Sequence, residues 1–335
     1  MSKDTTKRHK ATASDVAAQA GVSKWTVSRA FINGASISDK ARERVLTAAK
    51  ALGYRPNLLA RSLSKKRTQT IGVVIDQLHN PHTMVLIDAV TRQLQARGYM
   101  AMLLNITPGE NYRSVMSLAD QLQVDGILFL GTILTEELIA VAHDLHHIPL
   151  VQVCRYSESP EIEVVNVDGI QAGKEIAGLL LDQGFKRFGY MRGPDTASRH
   201  LQRLEGFELG LAEAGQQVTT LLTAGYYVRE LGYQAMEQYL NLTPPVERVE
   251  ALFCENDILA LGALEAMRKV GASIAVVGFD DIDEANTLGC QLTSYSQRVD
   301  RLVEEALSRL IDGRPGKSDD WRRGELRVRQ SHLRR

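Results

Sequence analysis

From Thr70 onward, short apolar runs alternate with longer amphipathic stretches. The apolar runs are TIGVVID, YMAMLLN, DGILFL and IPLVQV, and the rhythm restarts with VVNV, RFGYM, ALFC and IAVVGF. Such runs suit strands that are buried on both faces, and the stretches between them suit the helical crossovers that a parallel sheet needs. We therefore expect an α/β core of two doubly wound lobes, each with its own parallel sheet.

The length, composition and cysteines restrict the class of protein. A chain of 335 residues with 44% apolar content can form two or three domains with sizeable cores. The first ten residues are polar and no apolar run follows them, so we expect no secretory signal, no membrane span and a cytoplasmic protein. Cys154, Cys254 and Cys290 lack metal-ligand spacing, so we expect buried thiols, no metal and no other cofactor.

The segment before the α/β region has the pattern of three short helices. Thr12 and Asp15 form a capping-box signature that predicts a helix over residues 13–20. After a Gly-Val-Ser turn, Ser23 caps a second helix over about residues 24–32, and a third helix follows. The short turn forces the first two helices to cross, which predicts a small all-α helix-turn-helix head.

The second predicted helix has a polar, basic outward face. Its apolar residues share one side, so the other side carries Lys24, Trp25, Ser28 and Arg29. Residues 1–67 contain 15 Lys and Arg against 4 Asp and Glu, whereas the rest of the chain contains 25 against 36. A basic head on an acidic body favours binding to nucleic-acid phosphates, and a merely solvated basic face is the alternative.

Several segments resemble one known family over nearly the whole chain. The most specific are DVAAQAGVSKWTVSRAFIN and ISDKARERVLTAAKALGYRPNLLARSL, and TIGVV, RLEGF, CENDILALGAL and VVGFDD support them. They resemble the lactose-repressor/galactose-repressor (LacI/GalR) family of bacterial transcription regulators. The resemblance implies a helix-turn-helix head, a hinge helix that orders on operator DNA, and a core like the type I periplasmic sugar-binding proteins. It implies a regulator, most often a repressor, that responds to a small ligand.

Domain boundaries and assembly follow from the same resemblance. The expected domains are a head at 1–56, a hinge at 57–69, a first lobe at 70–162 with about 292–320, and a second lobe at 163–291 with about 321–335. A single small head makes few base contacts, so we expect a homodimer on a palindromic operator in double-stranded DNA. No leucine heptads follow Trp321, which favours a dimer over a tetramer.

Residues that would contact DNA can be carried over position by position. Lys24, Trp25 and Arg29 match base-reading positions, and Lys or Arg can hydrogen-bond guanine in the major groove. Trp25 offers apolar contact or its indole N–H; alternatively it is a partly buried anchor between head and hinge. Leu63 matches a hinge leucine that wedges into the minor groove, and packing against the next domain is its alternative role. The residues expected on DNA phosphates are Thr12, Ser23, Ser28, Asn33 and Asn57.

Residues that would contact the effector can be carried over in the same way. Arg203, Asn256 and Asp280 match ligand-contacting positions of the family. Tyr227 and Gln297 match an aromatic residue and a glutamine near the same cleft. Charged and amide groups beside an aromatic ring suit vicinal hydroxyls, so a sugar-like effector is expected.

The pairs His82-Thr83 and Cys154-Arg155 depart from the common pattern of the family. The first stands where many relatives carry two aromatic residues, and the second stands where an Asp-Arg or Asp-aromatic pair is common, which makes the cleft more polar and more cationic. We therefore expect a sugar acid or a phosphorylated sugar, with Arg155 or His82 adding a positive contact to that of Arg203. A neutral sugar and a nucleobase or other ligand are the alternatives. Arg155 alternatively forms a salt bridge with Glu158 or Glu161.

Three other classes of protein share parts of this pattern. An enzyme is not expected, because the sequence has no GxxxxGK(S/T), HExxH or GxSxG motif. The acidic residues from Asp280 to Glu284 are expected to form a strand end and a solvated loop rather than a metal site. A periplasmic sugar-binding protein would carry a signal peptide and no basic head, and an architectural DNA-binding protein would not need a two-lobed cleft.

Overall fold

The computed structural model describes residues 11–32, 34–56, 67–107, 111–131, 134–145, 147–157, 159–160, 162–194, 201–316 and 318–334. The chain divides into two compact units, Met1–Thr68 and Gln69–Arg335. None of the helices in these ranges is long and apolar enough to cross a membrane.

The described part of the first unit contains three helices around one small core. They are α1 (Ala13–Ala20), α2 (Lys24–Ala30) and α3 (Asp39–Leu52). The core consists of small apolar side chains, namely Val16, Ala17, Ala20, Val27, Ala30, Val45, Ala48 and Ala49. Helix α2 ends two residues earlier than predicted, because the chain tightens there and the Ile32 N–H bonds to the Arg29 carbonyl at 3.0 Å.

Side-chain caps fix where the first two helices begin. The Asp15 N–H donates to Thr12 Oγ1 at 3.3 Å, and the Thr12 N–H donates to the Asp15 carboxylate at 2.8 Å. The Thr26 N–H donates to Ser23 Oγ at 3.1 Å. Gly21 ends α1 with a φ of +61°, which glycine adopts without steric cost. These local interactions form the predicted helix-turn-helix.

Two sheets form the framework of the second unit. The first sheet contains β1 (Thr70–Ile75), β2 (Met100–Asn105), β3 (Gly126–Leu130), β4 (Leu150–Val153) and β5 (Ile162–Val165), in the parallel order β2-β1-β3-β4-β5. The second sheet contains β6 (Phe188–Arg192), β7 (Val218–Thr223), β8 (Ala251–Cys254), β9 (Ala275–Phe279), β10 (Thr293–Ser296) and β11 (Glu325–Arg327), in the order β11-β10-β9-β8-β6-β7. Its edge strand β11 runs antiparallel to β10, while the other pairings are parallel.

Helices cover both faces of each sheet. They are α4 (Pro81–Ala96), α5 (Tyr112–Gln121), α6 (Glu136–His143), α7 (Gly169–Asp182), α8 (Arg203–Ala212), α9 (Arg229–Leu242), α10 (Asp257–Val270) and α11 (Val299–Asp312), with short 3-10 turns at Pro245–Glu247, Asp283–Asn286 and Asp320–Arg322. Alternate residues of one strand enter different cores: Val73 packs in the core that contains α4 and α11, and Val74 packs in the core that contains α5 and α6. The continuous apolar runs of the sequence therefore correspond to strands buried on both faces.

Three boundaries between the lobes differ from those predicted. Strand β5 pairs with β4, so the second lobe begins after it and not at residue 163. Strand β10 pairs with β9 and belongs to the second lobe, although α11 after it packs on the first sheet as expected. Trp321 packs in the core of the first lobe rather than in the second. Strand pairing depends on contacts between distant residues, which the period of a single segment does not reveal.

Candidate functional site

Residues that follow strands of both lobes line one pocket. In the first lobe, Gly131 follows β3 directly and Arg155 lies two residues after β4. In the second lobe, Asn256 lies two residues after β8, while Asp280 and Gln297 follow β9 and β10 directly. The carboxyl ends of parallel strands are where open α/β sheets bind ligands, so this pocket is the candidate effector site.

All seven residues predicted to contact an effector line this pocket. The first lobe contributes His82 and Arg155, and the second contributes Arg203, Tyr227, Asn256, Asp280 and Gln297. Their contact with an effector stays a prediction. The lining also includes Gln77, which was not predicted to bind. Its position two residues after β1 was the signal in the sequence that would have identified it.

The polar side chains of the pocket are bonded to one another across the two lobes. Gln297 Nε2 donates to Asp280 Oδ1 at 2.6 Å and lies 3.2 Å from His82 Nε2. The same carboxylate oxygen of Asp280 lies 3.9 Å from His82 and 3.9 Å from Arg203. His82 belongs to the first lobe and the other three residues belong to the second. This polar network therefore links the lobes.

Arg203 is fixed at the start of α8. One of its terminal nitrogens donates to the Glu255 backbone carbonyl, and its guanidinium lies 3.5 Å from the centre of the Phe279 ring. Only 4% of Arg203 is exposed. A buried positive charge is stable only when it is paired and hydrogen-bonded, as it is here together with Asp280. Arg203 thus holds a positive charge at a defined position in the pocket.

Arg155 reaches from the first lobe to the second. Its Nε donates to the Gly131 carbonyl at 2.6 Å, and its guanidinium lies 5.4 Å from the centre of the Tyr227 ring. This is a cation–π geometry between lobes. The alternative partners, Glu158 and Glu161, lie outside the described residues. Arg155 adds a second positive charge to the pocket.

Glu255 is a buried carboxylate behind the pocket that was not predicted. It accepts hydrogen bonds from the Tyr227 hydroxyl at 2.7 Å, the Tyr190 hydroxyl at 3.2 Å and the Gly193 N–H at 2.8 Å. Burial, followed by the negative charge of Glu255, raises the pKa of Tyr227, so this hydroxyl remains protonated and orients the ring. The position of Glu255 directly after β8 and before Asn256 was the signal for it.

Burial also determines the protonation of two further pocket residues. It lowers the pKa of His82, against the effect of Asp280 and with that of Arg203, so His82 is neutral at pH 7. It raises the pKa of the Cys154 thiol to about 12, so this cysteine is unreactive at neutral pH. The other acidic and basic side chains that line the pocket are Arg155, Arg203 and Asp280.

Three helices begin at the pocket. Asn80 caps α4, where its Oδ1 accepts from the His82 N–H at 3.1 Å, and Asn256 caps α10, where its Oδ1 accepts from the Leu259 N–H at 3.1 Å. Helix α8 begins at Arg203. The N-terminus of a helix carries a partial positive charge. The helix ends add to the positive surplus of the two arginines.

The outward face of α2 presents the side chains predicted to read bases. Lys24 is exposed and Arg29 is half-buried. Trp25 is 64% exposed, and its alternative role as an anchor between head and hinge depends on hinge residues outside the described ranges. The Arg29 guanidinium lies 4.3 Å from the centre of the Trp25 ring. Base contact by these residues stays a prediction.

The residues predicted on DNA phosphates are placed differently from one another. Thr12 and Ser23 use their hydroxyls to cap α1 and α2, and Ser28 is exposed on α2. Contact with a phosphate by these three stays a prediction. Three further predicted residues lie outside the described ranges, namely Asn33, Asn57 and the predicted wedge Leu63.

The acidic run after β9 is a pair of carboxylates at the strand end followed by an exposed loop, as predicted. Asp281 pairs with Arg329 at 2.6 Å and is largely buried, whereas Asp283 and Glu284 are exposed. Neighbouring carboxylates of the run therefore have different contacts. Asp280 lines the pocket, and Asp281 pairs with Arg329 in the C-terminal segment. In the part of the chain that the structure describes, no group of three His, Cys, Asp or Glu side chains could hold a metal ion.

Two family profiles match the chain. The profile described as bacterial regulatory proteins, lacI family, matches residues 12–57. The profile described as periplasmic binding proteins and sugar binding domain of LacI family matches residues 68–294. The two matched ranges correspond to the helix-turn-helix unit and to most of the two-lobed unit.

Curated relatives match almost the entire chain. The HTH-type transcriptional repressor CytR of Escherichia coli (strain K12) is 30% identical over 312 residues, which cover 91% of this chain and 90% of the relative. The HTH-type transcriptional repressor PurR of Mannheimia succiniciproducens is 30% identical over 308 residues, with coverage of 90% and 91%. Both relatives are named as repressors and not as enzymes.

Solved structures share the fold. The lac repressor dimer bound to operator and the anti-inducer ONPF has a TM-score of 0.82 at 24% identity, covering 97% of this chain and 100% of that chain. The transcriptional regulator CelR in complex with cellobiose has a TM-score of 0.68 at 27% identity, with coverage of 96% and 100%. The fold is therefore a periplasmic-binding-protein-like core of two parallel-sheet lobes with a helix-turn-helix head, as predicted.

Proposed function

We propose, from the premise that this chain belongs to the lacI family of bacterial regulatory proteins, that it is a transcriptional repressor controlled by a small sugar-like effector. Its relatives CytR and PurR are named as transcriptional repressors, which supports the repressor assignment. The basic head supplies the DNA-binding surface, and the interlobe pocket supplies the effector site. A homodimer on a palindromic operator completes the proposal, because one head of three short helices offers few base contacts.

The observation that carries the effector site is a set of polar atoms in the pocket that lack partners. His82 Nδ1, Gln297 Oε1 and Gln77 Nε2 are buried and have no hydrogen-bond partner among the described residues. Buried polar groups are nearly always hydrogen-bonded, so groups like these favour a polar ligand that satisfies them. A ligand with several hydroxyls meets this requirement.

The charges of the pocket favour an acidic sugar derivative. Among the described lining residues, Arg155, Arg203 and three helix N-termini face one carboxylate, Asp280, while Glu255 lies behind Tyr227 and also acts on Arg155. Asp280 can accept hydrogen bonds from sugar hydroxyls while an arginine binds a carboxylate or phosphate. A sugar acid or phosphorylated sugar uses both features. A neutral sugar is the second candidate, since CelR, at 27% identity, was solved with cellobiose.

The internal bonds of the pocket favour a change in the lobes on binding. Gln297 Nε2 donates to Asp280 and lies 3.2 Å from Nε2 of His82, which belongs to the other lobe. A polar ligand that bonds to these side chains replaces some of those internal contacts. A ligand that binds one arrangement of the lobes better than another shifts the population between them. We propose this shift as the signal that changes operator affinity.

Calorimetry with the full-length protein tests the effector class. Sugar acids, sugar phosphates and neutral sugars are titrated into the wild type, Arg155→Ala and Arg113→Ala. Arg113 is the matched control, because it is 79% exposed and belongs to the same lobe. We expect an acidic sugar to bind the wild type and the control, and to lose at least about tenfold in affinity with Arg155→Ala. Binding of neutral sugars alone, unchanged by Arg155→Ala, would replace the acidic class with the neutral one.

Selection from random DNA duplexes tests the DNA-binding part. The full-length protein should enrich a palindromic site, and sedimentation with that duplex should give two chains per site. Enrichment of a site without two-fold symmetry, or a stable tetramer in solution, would contradict the dimer. Addition of the sugar found by calorimetry should then change operator affinity. A decrease in affinity identifies the sugar as an inducer, and an increase identifies it as a corepressor.

A further inference from the structure

We infer that Trp25 positions Arg29 for base reading and itself contacts the methyl group of a thymine beside the guanine that Arg29 reads. The inference rests on the proposed function, because it requires α2 to enter the major groove. It assigns to Trp25 a role that its own hydrogen-bonding capacity does not suggest. The indole has a single donor and no acceptor, and so it distinguishes bases poorly by hydrogen bonds.

The two side chains form a stacked pair on the outward face of α2. Trp25 and Arg29 are four residues apart, which places them one above the other on a helix. The Arg29 guanidinium lies 4.3 Å from the centre of the indole ring, well within the range of a cation–π interaction. Tryptophan is the best aromatic partner for such a contact.

The stack limits how Arg29 can bond. Its Nε is shielded from solvent and has no hydrogen-bond partner among the described residues. The terminal guanidinium nitrogens are therefore the donors left for recognition, and two of them form the fork that matches O6 and N7 of guanine. A free arginine loses much rotamer freedom when it binds, whereas an arginine already stacked on Trp25 loses less. Trp25 thus lowers the entropic cost of the contact.

The exposed indole surface needs a partner of its own. The small core beneath α2 uses Val27 and Ala30, so Trp25 is not needed to fill it. An indole that is 64% exposed on a polar face has apolar area free for contact. In the major groove, the C5-methyl of thymine is the apolar group that bases present. The indole lies directly beside the Arg29 guanidinium on this face, so it would meet a base pair next to the one that Arg29 reads.

Base analogues in the selected operator test the contact directly. Each thymine is replaced in turn by deoxyuridine, which removes only the methyl group, and each guanine by 7-deazaguanine, which removes N7. For the wild type we expect one uracil per half-site to weaken binding about fourfold. We expect the adjacent 7-deazaguanine to weaken binding about tenfold.

Variants at Trp25 distinguish a role in positioning Arg29 from a general contribution to DNA affinity. In Trp25→Ala the uracil effect should vanish, and operator affinity should fall about two- to fivefold per half-site through loss of the stack. Trp25→Tyr should restore part of both effects, because Tyr retains an aromatic face. Lys24→Ala is the matched control on the same face: it should weaken binding without changing the uracil effect. All three variants should melt at the wild-type temperature, since both positions are exposed.

A double-mutant cycle and a fluorescence measurement complete the test. Trp25→Ala and Arg29→Lys should be non-additive in operator affinity, because they remove the same stack. In a Trp321→Phe background, Trp25 is the remaining tryptophan, and Arg29→Met should alter its emission. A wild type indifferent to every uracil, or a uracil effect that persists in Trp25→Ala, would overturn the inference while leaving operator binding intact. Failure to select any DNA site would instead overturn the proposed function itself.

Discussion

The outward face of α2 and the interlobe pocket hold their functional side chains in opposite states. On α2, Lys24 and Trp25 project into solvent. In the pocket, the side chains of Arg203 and Asp280 are 5% and 6% exposed and are bonded to neighbouring groups. A side chain on the surface can meet a duplex without rearrangement. A buried side chain must first exchange its internal bonds for those of a ligand.

Because of this difference in burial, substitutions in the two regions should affect stability and binding in different ways. Removing a buried, paired charge leaves its partner unsatisfied, so the cost appears in folding as well as in binding. Removing an exposed group leaves nothing unsatisfied in the free protein, so the cost appears only in the complex. We therefore expect substitutions in the pocket to change both ligand binding and the stability of the two-lobed unit, and substitutions on the α2 face to change DNA binding alone.

The largest expected effect is that of Arg203→Met on stability. The substitution removes the contacts with the Glu255 carbonyl and with Asp280 and leaves both groups buried. The free energy of unfolding of the second unit should fall by about 3 kcal/mol, measured by urea denaturation. Arg113→Met, at an exposed pair with Asp144 at 3.7 Å, should change it by less than about 1 kcal/mol. Equal losses in the two variants would remove the contrast between buried and exposed sites.

Arg29→Ala should have the next largest effect, and only on DNA binding. We expect operator affinity to fall by about 1–3 kcal/mol per half-site, in a titration at fixed salt concentration. The melting temperature of the head should not change. Lys50→Ala is a control at an exposed cation in the last turn of α3, and it should alter affinity less and without base preference. A drop in melting temperature with Arg29→Ala would show that the α2 face also supports the fold.

Whether a feature was predictable from the sequence depends on how far apart its residues lie in the chain. The caps at Thr12 and Ser23 involve residues only three positions apart, and they appear in the structure as predicted. The apolar runs also gave the buried strands, because burial on both faces leaves a local signature. Membership of β5 and β10 in their sheets was mispredicted, since it depends on pairing between distant segments.

The pocket residues were found by resemblance and by their position after strands. Neither approach predicts which of these side chains contact one another. The side chain of Arg155 lines the pocket as expected, yet its stack on Tyr227 joins residues 72 positions apart, and no spacing rule gives it. Glu255 was missed although it directly follows β8, because its burial behind Tyr227 depends on contacts between distant residues. The stack of Arg29 on Trp25 was within reach of the helical spacing, but the sequence left open whether Trp25 is exposed.

A pH titration changes the protonation of a pocket residue without removing its side chain. Burial lowers the pKa of His82 below its ordinary value of 6.5. Above pH 6.5 this histidine is neutral in both the folded and unfolded chains, and it adds no pH dependence. Below pH 6.5 the unfolded chain takes up a proton that folded His82 does not, so the free energy of unfolding falls by up to about 1.4 kcal/mol per pH unit.

His82→Gln should therefore reduce the loss of stability between pH 7.5 and pH 5.5, as measured by urea denaturation at both values. Part of the loss should remain, because burial also lowers the pKa of His332. His79→Gln, at an exposed position just before α4, should behave like the wild type. A full wild-type loss in His82→Gln would mean that His82 accepts its proton in the folded pocket as readily as in the unfolded chain.

The smallest expected effect concerns Ser23, whose side chain has both a structural contact and a predicted contact with DNA. Its hydroxyl caps α2, and it is also predicted to contact a DNA phosphate. Ser23→Ala should lower the stability of the head by about 1 kcal/mol, because the Thr26 N–H loses its acceptor. Ser23→Asp should keep the cap and the stability, yet weaken operator binding because a carboxylate repels a phosphate.

Ser38 supplies the matched control for Ser23. It caps α3 in the same way, accepting from the Ala41 N–H at 3.3 Å, and it is not predicted to contact DNA. Ser38→Ala should cost a similar stability, and Ser38→Asp should leave operator affinity close to that of the wild type. If the two aspartate variants weaken operator binding equally, the effect is one of overall charge and Ser23 acts only as a cap. If Ser23→Asp alone weakens binding, one hydroxyl both holds the helix and faces the phosphate, and folding and recognition share that atom.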